Sequence, residues 1–188
     1  MNNSRHQISR RYAILSMHNL RMKKIKIPIR YLPFRLTRKD KQNQTKMLNK
    51  SKIMYRTGKY YTREKLPSFK SKPSNHVATA RKMYDVENVL PSKNLSRKTG
   101  CSVNALNQIV EKGMGAYFSS GSRPNQTAHS WGLARLASSI TGGKSAAVDY
   151  AILEEGCNHR KPAFILANKS VKKYKHGQSK TKKIVVNV

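Results

Sequence analysis

The chain has 188 residues with 39 Lys/Arg against 8 Asp/Glu, a formal net charge of +31. Soluble domains ordinarily mix both signs at a net charge of a few units; an excess this large repels itself and favours a polyanionic partner, nucleic acid first among them. No run approaches the roughly 18 apolar residues of a membrane-spanning helix. Two cysteines without an apolar leader argue against a disulfide scaffold and for a reducing, intracellular setting.

The charge divides the chain. Residues 1–75 carry 21 Lys/Arg and 2 acids, residues 76–157 carry 9 and 6, and residues 158–188 carry 9 and none. Leu, Ile, Val and Ala concentrate between Val77 and Leu166. This pattern predicts a basic, mobile extension over residues 1–30 and a basic arm with one helix over 31–75. A compact helical module over 76–168 and a basic tail over 169–188 complete the expected order. The acid-free, Arg-rich residues 1–30 also share the composition of a mitochondrial presequence.

In chain order, Thr37 can cap a basic helix from about Arg38 to Tyr55, whose Met47, Leu48, Ile53 and Met54 make a narrow apolar stripe. Ser74 caps a helix to about Tyr84, and Ser92 caps another that ends at Gly100. A third spans Ser102 to Lys112 and stops at Gly113, a fourth runs from Thr127 to Ile140, and a fifth covers Ser145 to Glu155. Strand alternation is confined to the last residues, Ile184 to Val188. The expected fold class is all-α.

Leu95 to Gly113 has helix-turn-helix spacing. Leu95 and Ser96 precede the turn residue Gly100 by five and four positions, and Gly supplies the positive φ that such a turn needs. Small Cys101 and capping Ser102 follow, and Leu106, Ile109 and Val110 would pack the second helix on the first. Its outward positions include Asn104, Asn107, Gln108 and Lys112, with Arg97 and Lys98 on the helix before. Asn and Gln suit an adenine edge, and Lys a phosphate or guanine. The same spacing also makes a purely structural helical hairpin.

Lys112 to Thr127 is a Gly/Ser-rich loop feeding a helix start, a backbone arrangement that suits an anion, with Arg123 adding charge. Tyr117 and Phe118 there are either core residues or base-stacking platforms. Further phosphate contacts are expected from Lys39, Lys41, Lys46, Lys50, Lys70 and Lys72 in the arm, and from Lys172 and Lys173 in the tail.

Several chemistries fail on spacing. Gly143-Lys144-Ser145 resembles the end of a P-loop, but Ser138 stands where the first glycine belongs and a helix precedes it. Cys157 and His159 have no second pair at zinc-ligand spacing. Cys101 has no His base near it in sequence, and adjacent helical residues such as Glu154 and Glu155 point apart. Ser122, Arg123 and His129 are the residues an enzyme would have to use. The expectation is no enzyme, no cofactor and no metal.

The segments RTGKYYTREKLPSFKSKPSNHVATARKMY (56–84), PSKNLSRKTGCSVNALNQIVEKGMGAYFSSGSRPNQTAHSWGLARLASSITGGK (91–144) and VDYAILEEGC (148–157) carry a likeness. Through them the chain resembles, over residues 31–168, an uncharacterised family of small basic proteins encoded by large DNA viruses of algae and related giant viruses. Gly121 to Ser138 is its most distinctive stretch. The resemblance implies a viral origin, a shared compact module and a place in the virion or infected cell, and it supplies no activity. The expected function is a nucleic-acid-binding packaging or structural protein, with DNA ahead of RNA as partner. The alternatives are a minor capsid or internal virion protein docked on acidic capsid surfaces, and a helix-turn-helix regulator.

Overall fold

Four of the capping residues read from the sequence satisfy the first free amides of their helices. The side chains of Thr37, Ser92, Ser102 and Thr127 accept from the backbone N–H of Asp40, Leu95, Ala105 and Ser130 at 3.0–3.2 Å, which removes orphan donors and fixes where each helix begins. The computed structural model describes residues 24–177 and 181–187. In it strand β1 (Lys24–Pro28) leads to α1 (Arg38–Arg56), α2 (Asn75–Tyr84), α3 (Lys93–Thr99), α4 (Val103–Ser119) and α5 (Ala128–Ile140). Helices α6 (Lys144–Val148), α7 (Tyr150–Gly156) and α8 (Pro162–Tyr174) follow, and strand β2 (Lys183–Asn187) ends the order. The fold is all-α with one two-stranded sheet added.

Three helices depart from the sequence reading. Helix α4 does not stop at Gly113 but continues to Ser119. Gly113 serves close packing instead: a Cβ there would lie 2.6 Å from Gly132 Cα, and one on Gly132 would lie 2.7 Å from Val110 O. The α4 and α5 backbones therefore touch where both side chains are absent. The expected helix from Ser145 to Glu155 is broken at Asp149 into α6 and α7. Asp149 is fully buried, accepting from Arg135 Nε (2.8 Å) and Ser139 Oγ (2.8 Å), with Lys112 Nζ 3.1 Å away. Helix α8 has no counterpart in the sequence reading. Pro162 opens it at a position that needs no amide donor, and Ala163, Phe164, Ala167 and Ser170 form its buried face.

The main core gathers α2 to α8 around Leu95, Leu106, Ile109, Leu136, Ile140 and Leu153. The helix-turn-helix spacing folds as read, with Gly100 left-handed at φ 79°. The turn after it is tied to the end of α7 by Ser102 N–H to Gly156 O (2.8 Å) and Asn158 N–H to Gly100 O (2.7 Å). A disulfide joins Cys101 to Cys157 there, which runs against the expectation that two cysteines without a leader argue against a disulfide scaffold. The reason is geometric: the α7–α8 turn brings together two residues that lie 56 apart in sequence.

The flanks are not free arms where they are described. Strand β1 pairs antiparallel with β2, Ile27 opposite Ile184 and Lys24 opposite Asn187. Ile27, Tyr31, Leu32 and Leu48 bury together with Trp131 of α5 packed on them. The boundaries expected at residues 30/31 and 168/169 thus fall beside or inside packed structure. The extension expected to be mobile contributes a strand, and the tail contributes the end of α8 and the strand partner. Residues 1–23 of that extension lie outside the described residues.

Candidate nucleic-acid interface

Residues 57–74 contain no helix or strand, yet they are held firmly. They cross the molecule as a strap with three anchors. The first is Arg63, which is 8% exposed. Its Nη1 donates to Ser51 Oγ and Tyr117 O, both at 3.0 Å, and its Nη2 donates to Ser122 Oγ at 2.8 Å. Its guanidinium carbon sits 3.6 Å from the centre of the Tyr117 ring. Burial lowers its pKa, and the neighbouring Tyr117 opposes that shift. The cation is compensated by neutral acceptors and an aromatic face, with no carboxylate bonded to it among the described residues.

The second anchor is Asn125, left-handed at φ 57°. Its Oδ1 accepts from Leu66 N–H (2.7 Å) and its Nδ2 donates to Leu66 O (3.1 Å) and Phe69 O (2.7 Å). The third is Asp40, whose carboxylate accepts from the Ser68 hydroxyl and from Ser68 N–H at 3.0 Å. Those bonds, the hydroxyl first, lower the Asp40 pKa. The polar stretch from Gly121 to Thr127 is therefore a clasp that grips the strap.

Clasped in this way, the strap forms one wall of a groove of about 1160 Å³. Helix α2 forms another wall and the first turns of α5 form the floor, where Trp131, Leu133 and Ala134 lie. Six cations line it: Arg30, Arg35, Lys70, Lys72, Arg81 and Arg123. No Asp or Glu does, and none of the six is ion-paired among the described residues. The field extends to His76, whose pKa is lowered by partial burial and then by the charge of Arg123. A smaller groove of about 370 Å³ between β1 and α1 is lined by Lys24, Lys26, Lys52, Arg56 and Lys183, again without a carboxylate.

The residues singled out from sequence scatter over this surface. Arg123, Lys70 and Lys72 meet in the large groove. Asn104, Asn107 and Gln108 are exposed on α4, away from it. Lys112 is committed to Asp149 and to Val148 O (3.2 Å), and Lys98 to Asp85 at 3.4 Å. Arg97 is exposed beside Asn94. Lys39, Lys41, Lys46 and Lys50 lie along α1 outside both grooves, Lys50 over the Tyr61 ring at 4.4 Å. Lys172 and Lys173 are exposed at the end of α8.

The base-stacking role of Tyr117 and Phe118 is corrected. Tyr117 is fully buried beneath Arg63, and Phe118 stacks on Tyr55 with Tyr60 at its edge. Neither offers a ring face to a base. Ser122 is likewise fully buried, accepting from Arg63 and donating to Arg123 O. Its hydroxyl is used inside the fold, whereas Arg123 and His129 are exposed.

Arg30, Arg35 and Arg81 were missed as site residues, and so was Trp131. Nothing local in sequence marks them, because they come from three separate segments: the connection after β1, α2 and α5. The alternation in KIKIP would have found β1, and with it the placement of Arg30.

A model of the family of unknown function DUF5824 matches residues 21–153. The chain belongs to that family. The match takes in β1, the strap, the clasp and the helices through α6, and so every residue that lines the large groove. No curated protein and no solved structure matches the chain. Among the described residues, no helix is long and apolar enough to cross a membrane.

Proposed function

We propose that the protein binds nucleic acid, DNA ahead of RNA, through the acid-free groove and the basic surface around it. In this reading it packages or organises the genome of a large DNA virus, in the virion or the infected cell, and catalyses no reaction. The observation that carries the proposal is the set of six cations around one groove, with no carboxylate among its lining residues and no ion pair to any of the six among the described residues. Cations held close without counter-charges repel one another, and each phosphate they neutralise releases a counterion, so binding relieves the one and gains from the other. The viral setting draws support from the resemblance carried by residues 31–168.

The test is binding of full-length protein to DNA across a salt series. The logarithm of affinity should fall linearly with log salt, and removing one groove cation, as in Arg81→Gln or Arg123→Gln, should reduce the slope by roughly 0.7–0.9. A flat salt profile would overturn the reading. The exposure of Asn104, Asn107 and Gln108 on α4 favours a second reading, sequence-specific contact by the helix-turn-helix. Under it, changing all three to Ala abolishes preference among DNA sequences and leaves the salt slope unchanged.

A further inference from the structure

We infer that the large groove takes a single-stranded nucleic acid, with Trp131 as a stacking platform for its bases and the rim cations as phosphate contacts. The inference rests on the nucleic-acid reading above and narrows it to one class of ligand. Three features of the groove point the same way.

First, its shape is concave and its floor apolar. Val77, Val89, Leu133 and Trp131 line it beneath the charged rim. A duplex keeps its bases stacked on one another and presents phosphates on a convex outer surface, so it has nothing apolar to place on such a floor. An unpaired strand presents both kinds of surface at once, and proteins that bind single strands combine a positive groove with aromatic platforms.

Second, the volume of about 1160 Å³ exceeds the ~300–1,000 Å³ typical of small-molecule pockets, which leaves room for more than one nucleotide. Third, the cations stand on different walls: Lys70 and Lys72 on the strap, Arg81 on α2, Arg123 on the clasp. A chain of phosphates presents a charge to each wall, whereas a single phosphate presents only one. Trp131 is braced by Tyr31, whose ring meets it edge-on at 5.9 Å, and a preorganised ring loses little freedom when a base stacks on it.

Trp131 is the sole tryptophan of the chain, so tryptophan emission, excited at the red edge where the nine tyrosines do not absorb, reports on this side chain alone. Full-length protein is titrated at fixed salt with four probes: an oligothymidylate, an abasic strand of the same length, a duplex of the same length and thymidine monophosphate. The oligothymidylate should quench the emission and bind roughly 5- to 140-fold more tightly than the abasic strand, the range expected for one stacked base. The duplex and the mononucleotide should bind more weakly than the oligothymidylate and leave the emission unquenched. Trp131→Leu should erase the difference between base-bearing and abasic strands while keeping the salt slope, and Trp131→Phe should retain part of it.

Equal affinity for abasic and base-bearing strands overturns the inference, as does preference for the duplex or the mononucleotide. In each of these cases nucleic-acid binding itself still stands. Failure of all four probes to bind removes that broader reading as well. Thermal melting of each variant reports whether it folds. If Trp131→Leu does not, the comparison of abasic and base-bearing strands on the wild-type protein decides.

Discussion

At Arg63 a charge is buried with no carboxylate bonded to it among the described residues. Its guanidinium is fixed by Ser51, Tyr117 and Ser122, and those partners lie on α1, α4 and the clasp, so one side chain joins three parts of the molecule to the strap. Hydrogen bonds to a charged group contribute about 1.5–3 kcal/mol net. Arg63→Met removes the donors while keeping much of the volume and should cost about 3 kcal/mol in urea unfolding. Arg63→Lys should also destabilise, because an ammonium cannot present the planar fork or cover the Tyr117 ring in the same way.

Asp40 gives a pH-dependent counterpart. The Ser68 bonds hold its pKa below the ordinary value in the folded state, so on acidification the unfolded chain takes up the proton first. The stability contributed by this Asp40–Ser68 contact is present above about pH 4, the unfolded carboxylate value, and is lost as pH falls through the lower folded value. Melting temperature followed from pH 5 to 2 should therefore fall more steeply for wild type than for Asp40→Asn. None of these residues is legible as an anchor in the sequence. An arginine among lysines looks like one more surface charge, and only its partners, 12 to 59 residues away, make it structural.

At the scale of elements, signals spanning a few residues read through cleanly. The caps at Thr37, Ser92, Ser102 and Thr127 are local hydrogen bonds, and the helices begin where they predict. Stops were harder to read. Gly113 looks like a helix terminator because glycine costs about 1 kcal/mol in a helix interior, but its contact with Gly132 outweighs that preference. Gly113→Ala, which raises helix propensity, should nonetheless destabilise the protein by about 1–3 kcal/mol in thermal or urea unfolding, since the added methyl meets backbone that cannot move aside. A stabilised variant would show that the helix pair can separate freely. Helix α8 escaped notice for a related reason. Its buried face is made of Ala163, Phe164, Ala167 and Ser170, three of them small, while the apolar Ile165 beside them stays exposed, so the inward face is defined only once α5 to α7 are packed against it.

Across the whole molecule, the disulfide and the large groove both join segments distant in sequence. Closing a loop of 56 residues restricts the unfolded chain by about 4 kcal/mol on the loop-entropy account. Cys101→Ser should accordingly lower the unfolding free energy by up to that amount, and wild-type protein unfolded in a thiol reductant should match it. Equal stability with and without reductant would show that the link contributes nothing to the fold. The link also fixes the turn between α3 and α4 to the α7–α8 junction, so its loss should increase hydrogen exchange at Ser102 and Asn158 more than in α1.

The sequence by itself determined the excess of positive charge, the all-α class and the start of each capped helix, because these depend on composition or on bonds within one turn of chain. It could not determine where the charge would be usable. Read linearly, the cations divide into two arms around a nearly balanced module. Tertiary structure instead folds the strap and β1 against α2 and α5, and only then do Arg30, Arg35, Lys70 and Lys72 meet Arg81, Arg123 and Trp131 around a single groove. Net charge adds up whatever the fold, but a binding site depends on distances between side chains, and those are set by the packing of Arg63, Asn125 and Asp40 against their partners.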